Sequence, residues 1–344
     1  MSLRPLTVLV TACGSPGTAA LLRALRANGE REIRLVGADM SERAIGAQLC
    51  DAFHLVAAGE DPAFADDLLA VAQRERVDVV IPQSSFDLQG LADRREDFGS
   101  IRVLVSAPRT IRVSNDKAVC YDELQKLVVP VPRRRLVRGG RGVEAAALEL
   151  GYPDRPVCFK PLVSSGSRGY RVLDATVDRT RQLLDERPGS VSMRLEEALE
   201  ILPPEAGPEL LVMELATGGE RTIDGIADGR RVVLGHPKTR ESMRAGLAMY
   251  FVTMDDDGLM ELADTIVAGL EIEHYFNIQL VGDMVIEVNP RISTIVYQKD
   301  LNIPYLGVKR GLGEISDDEL RGMRRLVRPA RTALRYFDQV EWDP

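Results

Sequence analysis

The chain has 344 residues, a length that predicts two or three subdomains with sizeable cores. Hydrophobic residues make up 45% and charged residues 28%, as in an ordinary globular protein, and the net charge of −8 argues against a general nucleic-acid binder. No apolar run reaches the roughly 18 residues that span a membrane. The N-terminal stretch lacks the pattern of a signal peptide. Because of the net charge and the missing apolar run, neither nucleic acid nor a membrane is expected as a partner.

The spacing of the cysteines argues against a Cys-x-x-Cys site, and that of the histidines against a zinc site. The four cysteines contain no Cys-x-x-Cys pair, and each is typical of a small core residue in a reducing compartment, so we expect a cytoplasmic enzyme. The three histidines match no zinc spacing. These residues are Cys13, Cys50, Cys120, Cys158, His54, His236 and His274.

Strands alternate with helices over residues 1–113. LTVLVTA, REIRLVGAD and VDVVIPQ are typical of strands, and TAALLRALRANG and PAFADDLLAVAQRER of helices. This alternation predicts βαβ units and a parallel sheet. The turn after the first strand contains Gly14 and Gly17, which invites a dinucleotide-binding interpretation. Pro16 removes an N–H donor there and no third glycine follows, so the pattern only weakly favours NAD.

The pattern changes after residue 113. A helix is predicted from Asn115, capped by Ser114 or Asn115. The strands VCFKPL and YRVLD flank a small-residue loop, SSGSRG, and residues 188–208 read as an exposed insertion. LLVMEL, ERTIDGIADGRRVVLGH, FNIQLV, MVIEVNP and RTALRYF are strand-like and joined by hairpins. The predicted fold class is therefore α/β at the start and α+β afterwards.

Polar residues interrupt several of these strands. Lys160 precedes a loop with Gly166 and Gly169, and such a loop can bring backbone N–H groups and a positive charge to a phosphate. Lys117 is a weaker candidate of the same kind. A solvated lysine beside a loop explains either residue equally well.

Two glutamates follow the strand LLVMEL. Strand-end backbone groups near Glu214 can pair with an adenine edge, and the carboxylate of Glu220 can accept both ribose hydroxyls. Two exposed glutamates at a turn are the alternative.

The stretch VIEVNPRIS carries polar groups at every second position. Glu287, Asn289 and Arg291 are therefore expected on one face of a strand, with apolar residues on the other. Gln279 on the preceding strand can add an oxygen ligand, and oxygen ligands suit Mg²⁺. For Gln279 and Glu287 to share a face, the hairpin needs an odd-length loop, such as residues 281–283, or a bulge.

The order SNDK, FKP with SSGSRG, MEL with GGE, and NIQ with IEVNPR resembles the ATP-grasp superfamily. It is most similar to one synthetase-domain half of the carbamoyl-phosphate synthetase large subunit, over residues 7 to about 313. The resemblance implies a Rossmann-like pre-ATP-grasp domain over residues 1–113 and an ATP-grasp domain over residues 114–312. A mobile lid would span about residues 130–212, and residues 313–344 would form a tail packed on the ATP-grasp domain.

The resemblance also implies roles for individual residues. ATP would be bound by Lys117, Lys160, Ser165, Gly166, Ser167, Gly169, Met213, Glu214, Leu215 and Glu220. Mg²⁺, for which Mn²⁺ could substitute, would be bound by Gln279, Glu287 and Asn289, and Arg291 would face the transferring phosphate or the acceptor carboxylate. In GHPKTRESMRAGLA, Lys238, Arg240 and Arg244 could hold phosphates or an acidic substrate, although a solvated basic loop is equally expected.

The family chemistry implies an ATP- and Mg²⁺-dependent ligase that joins a carboxylate to an amine through an acylphosphate, with ADP and phosphate as products. The chain has one synthetase half and no biotin-attachment Met-Lys-Met, so it resembles a stand-alone ligase. Amino acids are the expected substrates, and a homodimer is one expected assembly. Three alternatives stay open: a bicarbonate-phosphorylating enzyme similar to carbamoyl-phosphate synthetase, a nicotinamide-dependent oxidoreductase, and a non-catalytic nucleotide sensor.

Overall fold

The computed structural model describes residues 3–163, 168–186, 189–244, 247–293 and 300–342. The predicted loop residues Ser165, Gly166 and Ser167 lie outside these ranges. The chain divides into two compact units. The first contains Met1–Asn115, Glu220–Gln279 and Glu287–Pro344, and the second contains Asp116–Gly219 and Leu280–Ile286.

A five-stranded parallel sheet with the order β3-β2-β1-β4-β5 forms the N-terminal part of the first unit. Its strands are β1 (Leu6–Val10), β2 (Ile33–Asp39), β3 (Ala52–Leu55), β4 (Val79–Ile81) and β5 (Arg102–Val103). Its helices are α1 (Thr18–Arg26), α2 (Gly46–Leu49), α3 (Phe64–Arg74), α4 (Ser85–Asp93), a 3₁₀ turn (Arg95–Phe98) and α5 (Pro108–Asn115). The parallel sheet confirms the predicted βαβ organisation.

Alternating apolar side chains explain why this sheet is covered on both faces. Val8 and Val10 of β1 belong to one buried cluster with Leu21 and Leu25 of α1, whereas Leu9 belongs to a second cluster with Leu68 of α3. Successive strand residues point to opposite faces, so one apolar strand contributes to both cores.

The second unit is built on a mixed sheet with the order β6-β10-β7-β8-β9. Its strands are β6 (Arg134–Arg138), β7 (Val157–Pro161), β8 (Arg171–Leu173), β9 (Ser192–Met193) and β10 (Glu209–Glu214). Its helices are α6 (Lys117–Lys126), α7 (Gly139–Leu150), α8 (Arg179–Leu184) and α9 (Leu195–Ile201). All pairings except β8 with β9 are antiparallel.

Two local predictions in this unit are wrong. The helix expected from Asn115 begins at Lys117 and is capped by Asp116, whose carboxylate accepts the N–H groups of Ala118 and Val119, while Asn115 ends α5. Residues 188–208, expected as an exposed insertion, contain β9 and α9. Leu195 and Ala198 are buried in the core of the unit, so this segment completes the fold.

A six-stranded sheet with the order β15-β14-β11-β12-β13-β16 follows. Its strands are β11 (Glu220–Asp228), β12 (Val232–Arg244), β13 (Leu247–Val252), β14 (Glu273–Val281), β15 (Met284–Asn289) and β16 (Thr332–Leu334). Its helices are α10 (Asp257–Leu270), α11 (Ile303–Gly311), α12 (Asp317–Gly322) and a 3₁₀ turn (Met323–Leu326). The α+β part of the predicted fold class is confirmed.

The β14–β15 hairpin has a two-residue turn, Gly282 and Asp283, so the odd-length loop is absent. A regular hairpin with this turn would put Asn289 opposite Phe276, on the face away from Asn277. Asn289 nevertheless donates to the side chain of Asn277. Val285 and Val288 are both buried although three residues apart, and a bulge in β15, the other predicted alternative, would account for both observations.

None of the helices in the described ranges is long and apolar enough to cross a membrane. All four cysteines are free thiols.

Candidate functional site

Lys160 of β7 is held by two oxygen atoms in the second unit. Its ammonium group donates to the hydroxyl of Tyr121 at 3.0 Å and to the carbonyl of Ile286 at 3.4 Å. The Tyr121 hydroxyl itself donates to the same carbonyl at 2.6 Å, and the ammonium lies 5.2 Å from the ring centre. The charge is therefore fixed beside β15, one residue before Glu287 in the chain.

Lys117 reaches the start of the small-residue loop. Its ammonium group donates to the carbonyl of Leu162 at 3.2 Å. At the other end of the loop Gly169 has a φ of +73°, and a Cβ there would lie 2.7 Å from the ring of Pro161. The described ends of the loop thus start and finish beside the two lysines.

The strand end after β10 is fixed by Arg133 and by two glycines. The carboxylate of Glu214 accepts the backbone N–H of Arg133 at 2.8 Å and its Nε at 2.9 Å. Burial raises the pKa of this carboxyl, but the two hydrogen bonds and the charge of Arg133 outweigh it and lower the pKa. The Glu214 side chain is therefore occupied, and so is its backbone N–H, which donates to the carbonyl of Arg133 at 3.0 Å.

Gly218 and Gly282 bring the next residues against the β14–β15 turn. The N–H of Gly282 donates to the carbonyl of Gly219. A Cβ on Gly282 would lie 2.4 Å from the carbonyl oxygen of Thr217, and one on Gly218 would lie 2.9 Å from the Cα of Gly282. Only glycine allows this approach, which connects the strand end after β10 to the turn before β15.

In the first unit, one face of β11 and β12 is polar. The register pairs Glu220 with Arg240, and the two side chains approach to 3.8 Å. Two residues further, Lys238 donates to Asp224 at 3.0 Å, and both side chains are almost fully buried, at 0% and 2% exposure. The alternative of a solvated basic loop is therefore wrong for Lys238, because the segment is a strand and its lysine forms a buried ion pair.

Asn277 of β14 lies at the centre of this polar face. Its amide nitrogen donates to Thr222 at 2.7 Å and to Asp224 at 2.9 Å. Its amide oxygen accepts the side-chain nitrogens of Gln279 at 2.8 Å and Asn289 at 3.2 Å. Asn277 thus connects the two predicted amide ligands to the buried ion pair.

This arrangement fits a hard cation. The amide nitrogens of Gln279 and Asn289 point to Asn277, so their carbonyl oxygens are turned away from it. Glu287 stands two residues before Asn289 on β15 and carries a carboxylate. Within the described part of the chain there is no cluster of three His, Cys, Asp or Glu side chains that could hold a metal. Amide and carboxylate oxygens are also ligands that suit Mg²⁺.

Arg291 reaches the carboxyl edge of the N-terminal sheet. Its Nε donates to the hydroxyl of Ser85, four residues after β4, at 3.2 Å. Asp87 lies in the same helix and is 5% exposed; burial raises its pKa to about 6, although a hydrogen bond from Thr11 opposes the shift. Ligands of open parallel sheets bind at this edge.

Asp39 stands where an acidic residue would bind the ribose of a dinucleotide, but its carboxylate is hydrogen-bonded to backbone N–H groups. Asp39, at the end of β2, accepts the N–H of Gly14 at 2.7 Å and the N–H of Ser41 at 2.9 Å. The turn after β1 is thereby tied to β2, which supports the interpretation of Gly14 as a turn residue.

Arg240 and Arg244 differ in environment. Arg240 is 8% exposed and sits in the polar face beside Glu220. Arg244, at the exposed end of β12, stacks its guanidinium 4.6 Å from the ring centre of Phe337. Arg240 thus contacts another predicted site residue, Glu220.

Sequence reasoning missed Tyr121, Ser85, Asp224 and Asn277. Asn277 could have been found, because it alternates with Gln279 in an apolar strand as Glu287 does with Asn289. Tyr121 and Ser85 carry no such signal, since they lie on helices and meet the site only through the fold.

A cavity of about 670 Å³ in the second unit lies apart from this chemistry. It is lined by α6, β6 and the segment that joins them, including Asp122, Pro130 and Arg134. None of the predicted site residues is among its lining residues, so we do not assign it to the nucleotide.

Two family models match the chain. One, described as ATP-grasp in the biosynthetic pathway with Ter operon, matches residues 206–331. The other, described as PylC-like, N-terminal domain, matches residues 8–105. The chain contains an ATP-grasp domain. This confirms the predicted family and, with it, the class of ATP-dependent ligases.

Solved structures support the same ATP-grasp fold at low sequence identity. An L-amino acid ligase from Bacillus licheniformis is 16% identical, with a TM-score of 0.64 over 96% of this chain and 79% of that one. N5-carboxyaminoimidazole synthetase from Staphylococcus aureus, complexed with ADP, is 13% identical, with a TM-score of 0.59 over 84% and 71%. The biotin carboxylase domain of Hydrogenobacter thermophilus 2-oxoglutarate carboxylase, with MgADP and bicarbonate, is 15% identical, with a TM-score of 0.61 over 90% and 70%.

Proposed function

We propose that this chain is an Mg²⁺- and ATP-dependent ligase that joins a carboxylate to an amine through an acylphosphate. The observation that carries the proposal is the anchoring of Gln279 and Asn289 on Asn277, which presents amide oxygens beside a carboxylate strand. In this assignment Gln279, Glu287 and Asn289 hold Mg²⁺. The ion, when bound, neutralises charge on the triphosphate.

Phosphoryl transfer needs positioned charge rather than a nucleophilic side chain. Lys160 and Lys117 are proposed to hold the phosphates, the backbone of residues 213–215 the adenine, and Glu220 the ribose. The substrate carboxylate attacks the γ-phosphorus, ADP leaves, and an acylphosphate forms. The amine then attacks the carbonyl carbon and expels phosphate, which carries away one oxygen of the original carboxylate.

Arg291 is proposed to bind the acceptor carboxylate. Its hydrogen bond to Ser85 supports an acceptor site at the carboxyl edge of the N-terminal sheet. Arg240 is proposed to stabilise the transferring phosphate, and Arg244 to lie at the outer rim. Closure of the lid over about residues 130–212, with the loop 164–169 as part of it, would exclude water from the acylphosphate.

The predicted division into residues 1–113, 114–312 and 313–344, with a lid near residues 130–212, remains part of this proposal. So do amino acids as the substrates, which the likeness to an L-amino acid ligase supports. A cytoplasmic location is proposed from the four free cysteines.

A second candidate uses bicarbonate as the carboxyl donor. It is supported by two similar structures, a carboxyaminoimidazole synthetase and a biotin carboxylase domain with bicarbonate. A nicotinamide-dependent oxidoreductase is less well supported, because Asp39 is occupied by two backbone N–H groups.

The test is a screen of ADP release against pairs of amino acids, with Mg²⁺ and ATP. The ligase predicts release only when an acid and an amine are both present, with equal phosphate. Release with bicarbonate alone would favour the second candidate, and ATP binding without turnover for any pair would favour a nucleotide sensor.

A further inference from the structure

We propose that Cys13 and Cys50 form a redox-sensitive pair, which a hydroperoxide converts into a reversible disulfide. Both cysteines lie in the N-terminal part of the first unit, Cys13 in the turn after β1 and Cys50 directly after α2. No step of the proposed ligase chemistry uses either thiol, so their oxidation can be tested without a ligase assay.

Two glycines bring the two cysteines together. A Cβ on Gly46, the first residue of α2, would lie 2.2 Å from the Cβ of Cys13, so only glycine lets the helix approach this closely. A Cβ on Gly37 of β2 would lie 3.0 Å from the Sγ of Cys50 and 3.2 Å from the Sγ of Cys13. Both sulfur atoms therefore border the position of a single side chain, and the two thiols interact by a hydrogen bond.

The backbone holds the two cysteines beside the same glycine. The carbonyl of Cys13 accepts the N–H of Gly46 at 3.1 Å, and the N–H of Cys50 donates to the carbonyl of Gly46 at 2.9 Å. The N–H of Cys13 donates to the carbonyl of Ala38 at 3.3 Å, and its thiol donates to the carbonyl of Val10 at 3.1 Å. The turn after β1 and the end of α2 are thus fixed with their thiols close together.

The environments of the two thiols differ in a way that assigns the order of reaction. The hydrogen bond with Cys13 lowers the pKa of Cys50; burial opposes this shift, and the positive charge of Arg26 adds to it. The guanidinium of Arg26 donates to the carbonyl of Leu49 and to Asp51, each at 3.0 Å, and so stands beside Cys50. The hydrogen bond with Cys50 and burial raise the pKa of Cys13 well above its usual value. Cys50, the less buried of the two, is therefore the thiol that reacts first.

The chemistry balances with a hydroperoxide as the oxidant. The Cys50 thiolate attacks one peroxide oxygen, the O–O bond breaks, and hydroxide leaves and takes up the thiol proton as water. This step leaves a sulfenic acid on Cys50. The sulfur of Cys13 then attacks the sulfur of Cys50, the S–O bond breaks, and a second water carries away the Cys13 proton. Two thiols are oxidised to one disulfide, and one peroxide is reduced to two waters.

The other two cysteines provide an internal comparison. Cys120 and Cys158 lie in the second unit and are both buried, and burial raises the pKa of Cys158 to about 11. A buried thiol with a raised pKa is a poor nucleophile. In a reducing compartment a bond between Cys13 and Cys50 would be transient, since cellular thiols return it to the dithiol by exchange.

Peptide mapping of the full chain tests the proposal. The reduced protein is treated with hydrogen peroxide at about pH 7, alkylated in denaturant and digested with trypsin. We expect the peptide that contains Cys13 to be joined to the one that contains Cys50, and dithiothreitol to separate them. Cys120 and Cys158 should both be alkylated. Alkylation of all four cysteines, a bond to another cysteine, or a bond between two chains would overturn the proposal.

Two variants test the order of the steps. Cys13→Ser removes the second thiol, so oxidation should stop at a sulfenic acid on Cys50, which dimedone traps. Cys50→Ser should leave Cys13 unmodified under the same conditions, because Cys13 is buried. Cys158→Ser is the control and should form the disulfide as the unsubstituted chain does. Trapped sulfenic acid on Cys13, or none on Cys50 in the Cys13→Ser variant, would contradict Cys50 as the thiol that reacts first.

Discussion

The ammonium group of Lys160 lies 3.0 Å from the hydroxyl oxygen of Tyr121, and both groups contact the carbonyl of Ile286. Helix α6, strand β7 and strand β15 therefore hold this ammonium group together. In the proposed function this lysine holds a phosphate, and a charge held in place contributes most to phosphoryl transfer.

Tyr121→Phe should raise KM for ATP about 5-fold and change kcat less, because one hydrogen bond that orients Lys160 is lost while the charge remains. Lys160→Ala, which removes the charge itself, should lower turnover by about 10²–10³. Steady-state kinetics check both. The control is Tyr152→Phe, whose hydroxyl accepts the N–H of Leu195 elsewhere in the same unit. Equal effects of the two tyrosine variants would contradict a specific role for Tyr121.

Asn277→Ala should increase the Mg²⁺ concentration needed for half-maximal ADP release by about 10–100-fold, the usual cost of losing a residue that orients metal ligands. The physical reason is that Gln279 and Asn289 lose their shared acceptor. Asn28→Ala is the control, because Asn28 makes four hydrogen bonds in a loop away from this face. An unchanged Mg²⁺ requirement would show that Asn277 does not orient the metal ligands.

Gly282→Ala should weaken ATP binding, because its Cβ would meet the carbonyl oxygen of Thr217 and push the strand end after β10 away from the turn. Gly229→Ala is a matched control. Its φ of +87° is also strained for alanine, but its Cβ would meet only the flexible side chain of Glu273 at 3.4 Å. Titration with ATP measures the affinity of each variant. A similar loss of affinity in both variants would indicate that backbone strain alone is responsible.

Asp87→Asn should alter the pH dependence of stability. The pKa of Asp87 is raised to about 6, mainly by burial, so the folded protein holds a proton there that the unfolded chain releases near pH 4. Stability therefore falls as pH rises from about 4 to about 6, by about 3 kcal/mol in total, and is level above that range. Urea unfolding at a series of pH values should show this fall for the unsubstituted protein but not for the Asp87→Asn variant. If the free energies of unfolding of the two proteins changed in parallel with pH, the raised pKa of Asp87 would be contradicted.

The sequence predicted the fold class because apolar strands alternate with helices before residue 113 and are joined by hairpins later. It also predicted a strand around Glu287 and Asn289, although that strand ends at Asn289, before Arg291. It failed for residues 188–208, where composition suggested exposure but Leu195 and Ala198 fill the core of the second unit. Tyr121 and Ser85 could not be found from spacing, because each meets its lysine or arginine partner across a long separation in the chain.

The hairpin illustrates a different limit. Gln279 and Glu287 can share a face only if the hairpin has an odd-length loop or a bulge. The sequence pattern fits these two alternatives equally well. The two-residue turn is favoured by Gly282, whose φ of +55° suits a tight turn and whose missing side chain admits Thr217.

The most direct measurement of the central claim follows an oxygen atom. A carboxylic acid that supports ADP release is labelled with ¹⁸O in its carboxylate and turned over with ATP, Mg²⁺ and amine. The acylphosphate mechanism predicts one ¹⁸O in the released phosphate and none in the nucleotide. Label in AMP, with pyrophosphate as the second product, would contradict it, because that result reports adenylation of the acid.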